Sequence, residues 1–259
     1  MGGNFMRGTG YLREGFRLIG QPGLRRFVII PLLLNLLVFI ALFAGLYHAF
    51  TLMIPAVMGW LPDWAWLQAL DWLFWIIYGA VVVLAMAYGF VILANLIGSP
   101  FYGYLAEMTE KQLTGQALPD VGGWGQILAD VPRALWREMQ KIFYYLPRAV
   151  LLLLVSLIPV VNFPVAFLWF GFNSWMMALQ YVDYPSDNHR ESFGELKQFL
   201  RSTRLSAMGF GLPVAVGAMI PLVNLVVVPA AVCGATAYYV REKQYLEDRK
   251  VGRVGGRQL

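Results

Sequence analysis

Charge is what this chain has least of. Only 14% of its residues are Asp, Glu, Lys or Arg, 59% are hydrophobic, and the mean hydropathy is +0.59. That balance lies outside the range of water-soluble globular domains. Cysteine is scarcer still. Cys233 stands alone inside an apolar stretch, which rules out an internal disulfide framework and a cysteine-built metal site within one chain. The sequence has no Gly-Lys pair, so it lacks a phosphate-cradling Walker motif and the basis of a self-contained ATPase. It also lacks zinc-protease and nucleophile-elbow signatures, and nothing in it calls for a cofactor or a catalytic residue. The net charge of +5 comes without an RNA- or DNA-binding motif, which argues against nucleic acid as a partner.

Four tracts are wholly free of charge: Phe27 to Pro62, Trp72 to Ala106, Ala149 to Val182 and Leu205 to Val240. Each far exceeds the ~18 apolar residues that mark a candidate membrane helix. The first begins only after a long Arg-bearing segment and is too long for a signal-peptide core, so it is expected to stay in the mature protein.

The twenty Lys and Arg residues are distributed on one side of these tracts. Arg7, Arg13, Arg17, Arg25 and Arg26 precede the first, and Lys111, Arg133, Arg137, Lys141 and Arg148 separate the second from the third. Arg190, Lys197, Arg201 and Arg204 separate the third from the fourth, and the remainder follow in the tail. The connection between the first two tracts has none. It holds Asp63 and Asp71 among Trp60, Trp64, Trp66, Trp72 and Trp75, as expected at an outer membrane interface. The positive-inside rule therefore puts both termini and the long polar segments in the cytoplasm and the Trp-rich loop outside a bacterial-type inner membrane.

Tracts three and four must then each begin and end on the cytoplasmic side, so neither is a single crossing. Both carry a central breaker, Ile158-Pro159-Val160-Val161-Asn162 in one and Ile220-Pro221-Leu222-Val223-Asn224 in the other. Their arms of about 10 to 18 residues reach roughly 15 to 27 Å, against a ~30 Å hydrocarbon core. The expectation is an all-α integral membrane protein with two long transmembrane helices, two re-entrant, half-penetrating hairpins and amphipathic cytoplasmic helices. Asn162 and Asn224 would sit near the hairpin tips. Four short tilted helices kinked by proline, with the two Asn residues as caps, are the plainer alternative. As one membrane domain, the chain divides into an amphipathic arm (1–26), a transmembrane helix (27–62), an external loop (63–71), a second transmembrane helix (72–106) and cytoplasmic helices (107–148). A hairpin (149–182), a cytoplasmic segment (183–204), a second hairpin (205–240) and a tail (241–259) follow. The long tracts are expected to be interrupted at Pro31 and Pro55 and at Gly98-Ser99-Pro100.

From Trp124, apolar positions recur with a helical period while Arg133, Arg137 and Lys141 recur every four residues on another face. Ser192 and Glu195 have capping-box spacing, with Phe193, Leu196 and Leu200 on one side and Lys197, Arg201 and Arg204 beside them. These basic stripes point either to anionic lipid headgroups or to an anionic substrate. Asp183, Asp187 and His189 fall in Tyr-Pro-Ser-Asp-Asn surroundings, which read as loop residues making turns and caps rather than as a metal or proton-transfer site. Glu107, after the second tract, is a candidate for a polar network with the cytoplasmic arginines. His48 is alone within its helix, which is thin support for proton coupling.

The sharpest local feature is Gln21-Pro22-Gly23-Leu24-Arg25-Arg26. Pro22 and Gly23 end one amphipathic stretch, and Leu24 to Arg26 are expected to open the next helix. Two arginines there oppose the positive end of the helix dipole, a conflict that a bound anion would relieve. Free backbone N–H groups, Gly23 and two guanidinium forks make a suitable oxyanion cradle, and a positive-inside anchor is the alternative.

These runs, together with Ser99-Pro100-Phe101, Asp130-Val131-Pro132-Arg133, Tyr145-Leu146-Pro147-Arg148-Ala149, Gln180-Tyr181-Val182-Asp183-Tyr184-Pro185 and Ala231-Val232-Cys233-Gly234-Ala235-Thr236, resemble the bacterial sulfate transporter family CysZ. The family is similar at domain level to the eukaryotic etoposide-induced membrane proteins. The resemblance, from about Gly10 to Val240, implies sulfate uptake for cysteine biosynthesis and a sulfate site at Gly23, Leu24 and Arg25, continued by Arg26. It extends the expected ligands to sulfite and related oxyanions. Glu107, Arg133, Arg137, Asn162 and Asn224 are the candidates for a pore or polar network. Membrane lipids and a homo-oligomer are the expected partners, since subunits would cover the hairpin tips. A membrane scaffold or lipid-interacting protein of the same fold is the alternative function.

Overall fold

The computed structural model describes residues 3–59, 71–116, 124–158 and 162–255, and over these it is helical with no strand. In chain order the helices are α1 (Phe5–Ile19), α2 (Arg25–Met58), α3 (Asp71–Thr114), α4 (Trp124–Ser156), α5 (Asn162–Asn188), α6 (Phe193–Ser202), α7 (Arg204–Ala218) and α8 (Pro221–Gly255). The expected Trp-rich external loop and the Pro159–Val161 part of the first breaker lie outside the described residues. The chain forms two compact units, Ile29–Ser99 on the one hand and Met1–Val28 with Pro100–Leu259 on the other.

The Ile29–Ser99 unit holds most of α2 and the first part of α3. Within α2, Leu36–Met53 is long and apolar enough to cross a membrane, and none of it is buried in the protein. Leu36, Leu37, Ile40, Phe43, Tyr47 and Leu52 are all exposed, so α2 has no polar side to offer water. The expected interruptions are corrected here: α2 runs unbroken through Pro31 and Pro55, and α3 through Gly98-Ser99-Pro100. Proline already holds a helical φ, and membrane helices tolerate the lost N–H by local adjustment and by partners on neighbouring groups.

The other unit is built round α8. Its stretch from Ala230 to Tyr239 is buried, and α1, α5 and α7 pack against it. Val223–Arg249 of α8 is also long and apolar enough to cross a membrane, but 67% of it is buried inside the protein. Backbones touch where glycine removes the side chain. A Cβ on Gly8 would lie 2.2 Å from the Ser206 carbonyl, and one on Gly15 would lie 1.9 Å from that of Ala230. On α7, a Cβ on Gly209 would lie 2.1 Å from the Phe5 carbonyl and one on Gly211 1.8 Å from that of Ser174, so α7 is pressed between α1 and α5. Small residues at such crossings allow backbone approach that no other side chain permits.

Two helical pairs flank the expected breakers. α4 and α5 run antiparallel, joined by Trp169 Nε1 donating to Ser156 Oγ at 3.1 Å and, further from the turn, by Trp175 Nε1 donating to the Tyr144 hydroxyl at 3.2 Å. α7 and α8 turn at Met219-Ile220, and Gly217 packs on Val227 across that turn. α6 carries the predicted capping box: Ser192 Oγ accepts from Glu195 N–H at 3.2 Å, and the Glu195 carboxylate accepts from Ser192 N–H at 2.7 Å. Its Phe193, Leu196 and Leu200 are buried, as their spacing predicts.

The glycine contacts are directly testable. Gly15→Ala forces a methyl group into the Ala230 carbonyl and should destabilise the folded protein by about 1–3 kcal/mol. Gly10→Ala, on the same helix with nothing within 4 Å of the added carbon, should be neutral or stabilising by up to ~1 kcal/mol. Thermal unfolding of both variants in one detergent decides it, and equal behaviour would contradict backbone contact at Gly15.

Candidate functional site

The turn between α1 and α2 assembles the predicted oxyanion residues. α1 ends at Ile19, Gln21 N–H donates to the Leu18 carbonyl at 3.0 Å, and Leu24 N–H donates to that of Gln21 at 3.2 Å. Gly23 has φ +98°, a left-handed backbone that glycine adopts without steric cost. A Cβ there would meet nothing within 4 Å, so the conformation, not crowding, selects glycine. Leu24 is 2% exposed and anchors the turn in the core, while Arg25 and Arg26 are exposed. α2 starts at Arg25, one residue later than the sequence suggested, and has no acidic residue in its first turn. Arg25 Nε donates to the Gly20 carbonyl at 2.7 Å, which orients the guanidinium and leaves its other N–H donors for a ligand. Gln112 at the end of α3 donates to the Gln21 side chain and ties that helix to the same turn.

The basic stripe of α4 does something the sequence did not predict. Arg137 and Lys141 are buried, whereas Leu135, Trp136, Met139, Ile142 and Phe143 are exposed. Arg137 Nη2 lies 2.6 Å from Asp183 Oδ1, with side chains 7% and 5% exposed, and Lys141 Nζ lies 3.1 Å from Asp183 Oδ2. Arg133 pairs with Asp187 at 3.2 Å, and Arg137 Nη1 also donates to the Glu191 carbonyl at 2.7 Å. Arg137 and Lys141 are therefore engaged inside the protein, and Arg133 pairs at its edge. Asp183 and Asp187 are corrected with it, from loop turns and caps to paired residues on the last turns of α5. A four-residue step on α5 matches the four-residue step on α4, and a buried charge must find a partner. Burial pushes the Asp187 carboxyl above its usual range, against the opposite pull of Arg133 and Arg137.

The network continues across the unit. Glu191 accepts from Ser186 Oγ at 2.8 Å and pairs with Lys243 of α8, whose ammonium also reaches the Tyr239 hydroxyl at 2.6 Å. His189 Nε2 lies 2.7 Å from Glu110 on α3, and Asn188 Nδ2 donates to the Gly103 carbonyl at 2.9 Å. Glu107 is buried three residues before Glu110. Glu242, fully buried on α8, accepts from Tyr11 at 3.2 Å and Ser206 at 2.9 Å, with Arg7 at 3.7 Å. Burial first, and the Glu242 charge second, raise the Tyr11 phenol above its usual value.

The structure thus unites Gly23, Leu24, Arg25 and Arg26 in one turn, and Arg133 with Arg137 in one network. Asn162 is the first residue of α5, and Asn224 lies in the first turn of α8, where it shares no described hydrogen bond with the turn or the network. Glu110 and Glu242 escaped sequence reasoning because nothing local signals their distant partners. Asp183 and Asp187 did carry a signal, the four-residue spacing that mirrors Arg133 and Arg137.

The buried pair predicts a large single-mutant effect. Arg137→Ala leaves Asp183 and Asp187 short of a counter-charge and should cost ~3–5 kcal/mol of stability. A companion Arg137→Leu/Asp183→Leu variant should recover much of it. Denaturation midpoints in detergent measure both, and a cost within experimental error for Arg137→Ala would remove the pair from its structural role.

Comparison with known proteins follows the same residues. A family profile described as "Sulfate transporter CysZ/Etoposide-induced protein 2.4" matches residues 11–229. A relative from Pseudomonas fluorescens (strain Pf0-1), named "Sulfate transporter CysZ", is 44% identical over 238 residues, covering 92% of this chain and 94% of its own. The matched region holds the α1–α2 turn and the α4–α5 network. This chain belongs to the sulfate transporter CysZ/etoposide-induced protein 2.4 family, and it is a membrane protein.

Proposed function

We propose that the chain is a sulfate permease of a bacterial inner membrane, supplying sulfate for assimilation into cysteine, with Gly23, Leu24, Arg25 and Arg26 as its oxyanion site. The observation that carries this is the pinned Arg25 fork beside left-handed Gly23 at the start of α2. Sulfate offers two charges and four acceptor oxygens. The first-turn N–H groups of α2 have no intrahelical acceptors, and two guanidinium groups supply charge-assisted donors. The name and similarity of the Pseudomonas relative support the same substrate.

Transport needs a polar route through an apolar exterior. α7 has 15 residues. At ~1.5 Å per residue it is shorter than a ~30 Å hydrocarbon core, which favours the α7–α8 turn as a half-penetrating hairpin tip. Asn162 and Asn224, at the starts of α5 and α8, are assigned to satisfying broken backbone or touching solute at the two tips. Glu107, Arg133 and Arg137 form or flank the internal polar network, and the paired arginines act as fixed wall charges. A homo-oligomer covers the tips.

Purified protein in liposomes should take up radiolabelled sulfate. Arg25→Ala or Arg26→Ala removes hydrogen bonds to a charged ligand worth ~1.5–3 kcal/mol each, so sulfate affinity should fall at least about tenfold. In the same assay Asn162→Leu or Asn224→Leu should lower flux per folded molecule. Normal affinity in a well-folded Arg25→Ala/Arg26→Ala protein would reduce both arginines to topological anchors. Absence of flux in the unsubstituted protein would refute transport itself.

Topology has its own test. Reporters fused at either terminus should read cytoplasmic, one inserted between Pro62 and Asp71 should read external, and crosslinking of the same membranes should give a homo-oligomer. A periplasmic C-terminus in most molecules would contradict the orientation.

A further inference from the structure

One face of α1 is not used by its packing. Gly10, Arg13, Glu14 and Arg17 recur at helical spacing and, with Gln21 just beyond the helix, line an open groove of about 380 Å³, with Arg241 of α8 as the opposite wall. That volume falls in the ~300–1,000 Å³ range of small-molecule sites. Arg241 and Glu14 form a bidentate pair, with Nη1 to Oε2 at 2.6 Å, so the wall is held in place. Arg13 and Arg17 have no acceptor or acidic partner among the described residues, and both are exposed. Three arginines against one glutamate leave the groove with a surplus of two positive charges.

Most other arginines of this unit do have partners. Arg7 meets Glu242, Arg133 and Arg137 meet Asp187 and Asp183, and Arg148 donates to the Tyr144 carbonyl. The α1 dipole accounts for Arg17, in the last turn, but not for Arg13 a full turn earlier. Two adjacent unneutralised forks repel each other unless an anion lies between them, and planar guanidinium groups suit tetrahedral oxyanions. Gln21 adds an amide at the end of the groove nearest the Gly23–Arg26 turn.

We propose that this groove is a second oxyanion site, in which Arg13 and Arg17 bind a tetrahedral anion and the Arg241–Glu14 pair forms the fixed wall. Its ligand is either free sulfate or the phosphate of an anionic lipid headgroup. The sulfate source rests on the transport reading above, and the lipid source does not.

The test uses the full-length protein carrying Arg13→Gln/Arg17→Gln. In the sulfate arm, both substitutions are added to the Arg25→Ala/Arg26→Ala protein, and residual affinity for radiolabelled sulfate is read by equilibrium dialysis. In the lipid arm, native mass spectrometry counts phosphatidylglycerol retained after extraction from mixed phosphatidylglycerol and phosphatidylcholine bilayers. Loss of at least about tenfold in sulfate affinity, or of about one phosphatidylglycerol per chain, supports the groove and identifies its ligand. Arg249→Gln/Lys250→Gln removes the same charge near the end of α8 and should change neither. Smaller changes in both arms, or equal changes in this control, overturn the proposal. Should the double variant fail to fold, the single variants Arg13→Gln and Arg17→Gln, which each remove one guanidinium and leave the Arg241–Glu14 wall intact, should weaken binding in the same arm, and unchanged binding in both arms overturns the proposal. None of these readings depends on flux, so failure of the groove and failure of transport are separately visible.

Discussion

The Arg137–Asp183 contact constrains the rest of this fold. Both side chains are more than nine-tenths buried and lie 2.6 Å apart. A charge in that position is tolerable only when paired, so α4 can lie on α5 only in the register that also brings Arg133 to Asp187 and Lys141 to Asp183. Turning the basic side of α4 inward has an unavoidable consequence. Its apolar side, from Leu135 through Trp136, Ile142, Phe143 and Leu146 to Leu154, faces out.

That arrangement is sensible where the surrounding solvent is hydrocarbon. Lipid-facing surfaces need no polar groups, and internal polar groups need one another. α2 follows the same rule with apolar side chains all round, whereas α8 spends its apolar residues on the protein's own interior. The two helices share a composition and differ in where it is used. Composition and length alone do not distinguish them.

The candidate site depends on packing far from it. α1 can end beside α3 and deliver the Gly20–Leu24 turn only because Gly8 and Gly15 let its backbone rest on α7 and α8, and Leu24 locks the turn into the core. Glu242, held by Tyr11 and Ser206, secures the same helix electrostatically. The exposed arginines at the turn are thus carried on a rigid support, which lets a ligand meet donors already in place.

The all-helical class, the capping box at Ser192, the turn at Pro22-Gly23 and the break at Ile220-Pro221 were legible in the sequence by itself, because each depends on residues within a few positions of one another. Charge-free tracts likewise announced a membrane protein, since apolar length is a local property. Tertiary structure alone decided which face of α4 is buried, that Asp183 and Asp187 are helical partners rather than loop caps, and that Arg13 and Arg17 of α1 share a groove with the Arg241–Glu14 pair. Helical periodicity shows that a helix has two faces, but which one turns inward depends on what opposes it. For Arg133 that partner lies 54 residues along the chain, a proximity created only by folding.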